Sequence, residues 1–267
     1  MDGTVMSDAD VFAATPYLFK YRSVQGLSRL HAERLIVHNE IYFASPASFN
    51  DPFDCQVRIS IGGSDDSHRE NLRGLFDRFK PELPPEQVEQ QVDAMIKQGV
   101  HRKPEVLEGV TKDLQEEVNG LGVFCMTARP NDILMWSHYA DGHAGFCVKF
   151  RHHNEPFLGR SQPVVYSEHY PRAVYLEDSS DEQFEKVVLT KAEFWSYEQE
   201  WRALEIKSGP GVYNFPPELL CGVILGYRMS PEDRRQVREW VEGRDPASVV
   251  YEARLKKDKF GLDIVAI

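Results

Sequence analysis

Apolar and polar residues alternate through YLFKYR at positions 17–22, the pattern of a half-buried strand. In the following SVQGLSRLHAERLIVH, Leu27, Leu30 and Leu35 fall near one helical face, so a helix is expected there. IYFAS then reads as a second short strand, and PASFNDPFD, crowded with Asn, Asp and Pro, ends it in a loop. From about 67 to 119 the period changes. Leu72, Leu75, Phe76 and Phe79 mark one amphipathic helix, Pro84 and Pro85 open another, and Val106, Leu107, Val110 and Leu114 lie along a third.

After this helical block, short apolar runs at 122–127, 145–150, 163–166 and 173–177 predict that a sheet resumes. A helix is expected over about 181–194, a strand in EQEWRALEIK, a strand in GVILGY, a helix over 231–241, and strands in VVYEARLK and FGLDIVAI. The sum is one α+β domain over residues 1–267. It has a mixed central sheet, flanking helices and a helical insertion at about 67–119.

A hydrophobic share of 42% and an aromatic share of 11% in 267 residues suffice for a sizeable core. The opening MDGTVMSDADVF lacks a basic segment followed by an apolar one, and no run of 18 apolar residues follows, so a cytoplasmic protein with no membrane partner is expected. The formal charge of −11 argues against a generic electrostatic grip on nucleic acid and leaves room only for a local basic groove. Cys55, Cys125, Cys147 and Cys221 are widely spaced, three of them in apolar strand-like runs, and read as free thiols.

Four clusters stand out for chemistry. In WSYEQEWRALE, a strand would place Glu198, Glu200 and Arg202 on one face, where crowded carboxylates and a guanidinium tune a proton-transfer group. The competing reading is an ion-pair ladder over a core formed by Trp195 and Trp201. In DILMWSHYADGHAG, Trp136, His138, Tyr139, Asp141 and His143 lie within a few turns of chain beside glycines. There the plainer reading packs Trp136 and Tyr139 and caps a short helix with Asp132. In FNDPFDC, Asn50 and Asp51 before Pro52 favour a turn that presents Asp54. Finally, Tyr21 and Arg22 close the first strand, where Arg22 either binds a phosphate or pairs with Asp51 or Asp54. The five-residue spacing of His138 and His143, with no HExxH frame, argues against a metal at that pair. Dinucleotide-fold, P-loop, α/β-hydrolase and zincin motifs do not occur.

The strings KYRS, IYFASPASFNDPFDC, MWSHYADGHAGFCVKF and YEQEWRAL, in that order, resemble a bacterial family catalogued as a domain of unknown function, across roughly residues 17–230. A second resemblance concerns mechanism. An early Arg, a central aromatic-polar segment and ExE opening a late strand are similar to ADP-ribosyltransferases, with Ser45 or Thr127 standing for that class's Ser-Thr-Ser strand. This resemblance implies NAD as cofactor. Glu200 would hold the nicotinamide ribose, Glu198 would prepare the acceptor, and His138 would complete the catalytic group. Arg22, Tyr21, Asn50, Asp54, Trp136, Tyr139 and Arg202 would bind the dinucleotide. The acceptor would be a macromolecule or small molecule, and the biological setting a toxin or phage-defence effector. Two readings compete with it. One is a non-catalytic module that senses a nucleotide or a partner; the other is a metal-assisted hydrolase or nuclease built on Asp51, Asp54, His138 and Asp141.

Overall fold

A computed structural model describes residues 16–152 and 157–267. The chain is α+β, and its described residues group into two compact units. The first is drawn from residues 16–45, 121–164 and 194–267. The second is drawn from residues 46–120 and 165–193. The helical block expected at about 67–119 thus falls within a unit that also includes the preceding FNDPFDC loop and a later stretch of chain.

The first unit is built on an eight-stranded mixed sheet. Its strands run in the order Leu262–Ala266, Val249–Leu255, Leu220–Leu225, Phe146–Arg151, Tyr17–Arg22, Gly122–Thr127, Glu200–Glu205 and Gln162–Pro163. All neighbours are antiparallel except Leu220–Leu225 with Val249–Leu255. Side-chain alternation divides the apolar residues between two faces. Leu18, Phe124, Phe146, Val148, Phe150 and Trp201 join one core with helices Ser28–Val37 and Pro231–Glu242. Phe19, Tyr21, Cys147 and Ile224 join another with Trp136 of the short helix Ile133–Tyr139. Both faces are therefore covered, as a sheet with apolar residues on each side requires.

Helix Ser28–Val37 forms where expected, but it buries Ala32, Leu35 and Ile36, while Leu27 and Leu30 face water. Leu27 precedes the first turn, and the buried stripe is fixed by the i, i+3, i+4 set ending at Ile36. The helix expected over 181–194 is shorter, Ser180–Val188, because Thr190–Ala192 instead pairs in parallel with Val165–Ser167.

The second unit contains helices Asp65–Phe79, Pro85–Lys97 and Pro104–Asn119. Ser64 caps the first through a capping box, with Asp65 and Asp66 favouring the positive end of its dipole. Proline opens the other two, where a missing N–H costs nothing. Leu72, Val88, Val92 and Leu176 close this unit's own small core. Among the described residues, no helix is long and apolar enough to cross a membrane. All four cysteines are free thiols.

Candidate functional site

The first unit's sheet is interrupted at its centre. Strand Tyr17–Arg22 pairs along its whole length with Phe146–Arg151, and Gly122–Thr127 along its whole length with Glu200–Glu205. Between the two halves the ladder is a single residue pair, Phe19 with Thr127. Beyond that pair the strands part, and Lys20 supplies the missing partner by donating from Nζ to the Cys125 carbonyl at 2.5 Å. Burial, more than the neighbouring Arg22, lowers the Lys20 ammonium to about 8, while Cys125, Glu200 and Glu198 act in the opposite direction. The Cys125 thiol is held high first by desolvation and then by Glu200, against the pull of Arg202 and Lys20. A thiol kept protonated in this way is a poor nucleophile.

Arg22 projects from the same side of its strand as Lys20. It is half-buried, and desolvation lowers its pKa to about 10, so it stays cationic at neutral pH. No carboxylate among the described residues forms an ion pair with it. Cys125 stands between the strands of Arg22 and Glu200, raising the Arg22 pKa while its own is raised by Glu200.

The acidic pair is arranged differently from a simple strand. Glu198 ends a 3-10 turn, Glu193–Glu198, and Gln199 adopts a left-handed φ of 42° that swings the chain into Glu200–Glu205. Alternation therefore does not align Glu198 with Glu200. Glu198 is brought in from the side, where its Oε1 accepts from Tyr139 Oη at 2.6 Å and its carbonyl accepts from Thr127 Oγ1. Arg202, fully buried, donates Nε to Glu200 Oε1 at 2.8 Å and Nη2 to Oε2 at 3.2 Å. This fork fixes the direction of the Glu200 carboxylate. His138, exposed, shares a 3.0 Å hydrogen bond between Nδ1 and Tyr197 Oη.

Asp132 caps helix Ile133–Tyr139 by accepting from Leu134 and Met135 N–H, which sets His138 and Tyr139 beside the acidic turn. Trp136 of the same helix does not serve as a platform for a ring. It is wholly buried, donates Nε1 to Pro130 O at 2.9 Å and meets Tyr21 edge-on. Tyr21 donates its hydroxyl to the Arg129 carbonyl. Both are core residues, so the plainer reading of this segment holds for Trp136. His143 lies parallel to the Trp136 ring and within 3.1 Å of Ser137 Oγ.

Asn50 and Asp54 belong to the second unit. Asn50 is exposed, whereas Asp54 is buried with Lys191 Nζ at 3.7 Å. Asp51 Oδ1 accepts from Phe53 N–H, the expected Asx turn. A hollow of about 650 Å³ in this unit is lined by residues that include Arg58, Leu107, Thr111, Lys112 and Gln115; neither Asn50 nor Asp54 lines it.

Of the residues singled out in the sequence, Glu198, Glu200, Arg202, His138 and Tyr139 come together, whereas Arg22 leaves its strand on the opposite face of the sheet, the face of Leu18 and Trp201. Lys20 and Tyr197 were missed. A lysine in the middle of an apolar strand, two residues before Arg22, was the available signal for Lys20. Nothing local marked Tyr197.

The fold and the site define an α+β protein with a carboxylate-centred polar group at a split in its main sheet. Residues 135–203 match a protein family described as a protein of unknown function, DUF2971. The matched stretch takes in MWSHYADGHAGFCVKF and YEQEWRAL, and the earlier strings KYRS and IYFASPASFNDPFDC lie outside it. No curated protein and no solved structure matches the chain.

Proposed function

We propose that the chain is an NAD-using enzyme of the ADP-ribosyltransferase type, acting in the cytoplasm, with the split sheet as its dinucleotide site. The observations that carry this reading are a desolvated Arg22 that has no carboxylate ion pair among the described residues and an oriented Glu200; by strand alternation they leave the sheet on opposite faces, so the dinucleotide would have to pass through the split. Arg22, assisted by Lys20, would take the pyrophosphate. Glu200, aimed by Arg202, would lie beneath the nicotinamide ribose.

Heterolysis of the C–N glycosidic bond sends the bonding pair to nicotinamide, which leaves neutral, and builds positive charge on ribose C1′. A fixed carboxylate stabilises that charge. The acceptor then gives C1′ a lone pair and loses its proton to Glu198, whose contact with the Tyr139 hydroxyl sets its geometry. His138 and Tyr197 border the approach of the acceptor. Trp136 and Tyr21 have no direct role in this scheme because both belong to the core.

Calorimetric titration with NAD tests the site. Wild type and Glu200→Gln should bind alike, and Arg22→Ala should bind at least about tenfold more weakly, because a charge-assisted phosphate contact is lost. NAD binding unaffected by Arg22→Ala, or no binding by wild type, would refute the assignment.

A further inference from the structure

The second unit carries a separate cluster in which two histidines have no exposed surface, His68 and His101. Asp65 lies in the first turn of helix Asp65–Phe79, and His68, three residues on, shares its face. After helix Pro85–Lys97, Gly99 takes a left-handed φ of 59°, which glycine adopts without a Cβ penalty. That turn leads into the 3-10 segment Val100–Arg102 and brings the His101 ring within 5.0 Å of the His68 ring, centroid to centroid.

Each ring spends one nitrogen on a backbone carbonyl. His68 Nε2 meets Gly62 O, and His101 Nδ1 meets Met95 O at 3.4 Å. A carbonyl can only accept, so these nitrogens carry the protons, and the neutral rings keep lone pairs on His68 Nδ1 and His101 Nε2. Carbonyls behind the rings are the usual outer support of metal-binding imidazoles, because they fix tautomer and orientation.

The two lone pairs and the Asp65 carboxylate address one point. One ligand atom from each of the three residues lies within 4.8 Å of the others. Arg102 covers that point. Its Nε lies 3.1 Å from His101 Nε2, and its Nη2 lies 3.0 Å from Asp65 Oδ1 and 3.4 Å from His68 Nδ1. One cationic group therefore already draws on all three acceptors. Its side chain is 40% exposed, so it can withdraw towards water without dismantling a core.

We propose that Asp65, His68 and His101 form a site for a single divalent transition metal of the zinc type, with Arg102 as a built-in competitor for the same ligands. Two imidazoles and one carboxylate suit such an ion and leave a fourth position for water or an incoming group. The competition makes a distinctive demand. Deleting the arginine should strengthen metal binding, whereas in a purely structural polar cluster it would only weaken the fold.

The test uses the full chain, stripped of metal and titrated with Co2+ in the visible range, followed by displacement with Zn2+. One equivalent should bind with the absorption of a four-coordinate site, and Arg102→Ala should bind at least about tenfold more tightly. His101→Ala and His68→Gln should lose the band while circular dichroism shows them folded. Binding that appears only in Arg102→Ala also supports the site. The proposal is overturned if neither wild type nor Arg102→Ala binds one equivalent. It is equally overturned if binding persists unchanged in the folded histidine variants.

Discussion

Arg202 and Glu200 form a buried ion pair within the candidate site. The guanidinium is wholly buried and engages both oxygens of a carboxylate that is itself only 4% exposed. Truncation to Arg202→Ala removes the guanidinium from that buried carboxylate and should cost about 3–5 kcal/mol, measured by urea unfolding. A loss below about 1 kcal/mol would mean the pair is solvated and the Glu200 carboxylate is not fixed. Lys20 gives a pH signature. Its folded pKa of about 8 lies below its ordinary value of 10.5, so between these values the unfolded chain holds more protons and stability rises with pH. Urea midpoints at about pH 7.5 and about pH 10 should therefore rise more in wild type than in Lys20→Met. An identical pH dependence in both would show that Lys20 is not desolvated. Residue types were legible in the sequence, but their environments were only partly so. Trp136 and Tyr21 carry the same letters whether they stack on a ligand or fill a core, and only packing decides between the two.

At the scale of elements, most strands and helices follow from local pattern. Strand Tyr17–Arg22, helix Pro231–Glu242 and the three helices of the second unit appear where period, proline and capping residues place them. The exceptions have identifiable causes. Thr190–Ala192 leaves the expected helix because a distant strand offers it backbone partners, and Glu198 leaves the expected strand because Gln199 turns the chain. Neither event has a local signal. The split in the main sheet was equally hidden, since register between distant strands is a property of the assembled sheet. The cap on helix Ile133–Tyr139 was readable, and it gives a direct test. Asp132→Ala removes the acceptor of two N–H groups and should cost about 1 kcal/mol in unfolding free energy. A neutral result would show that the helix is held by its packing and side-chain contacts rather than by the cap.

Over the whole molecule, the chain combines a two-faced mixed sheet with a second, mostly helical unit, and each carries its own polar cluster. The net charge of −11 leaves little for phosphate attraction at long range, so the proposed dinucleotide binding would have to come from specific groups at the split, Arg22 and Lys20 foremost. The family match over residues 135–203 takes in His138, Tyr139 and both acidic residues, which places most of the candidate centre inside one sequence block. The scheme rests on Glu200 stabilising charge on a ribose. The most direct measurement is release of nicotinamide from NAD by the purified full chain, with water as acceptor, in wild type and Glu200→Gln. Wild type should release nicotinamide, and release should fall at least about 100-fold in the variant. No release by wild type, or undiminished release by Glu200→Gln, would contradict it.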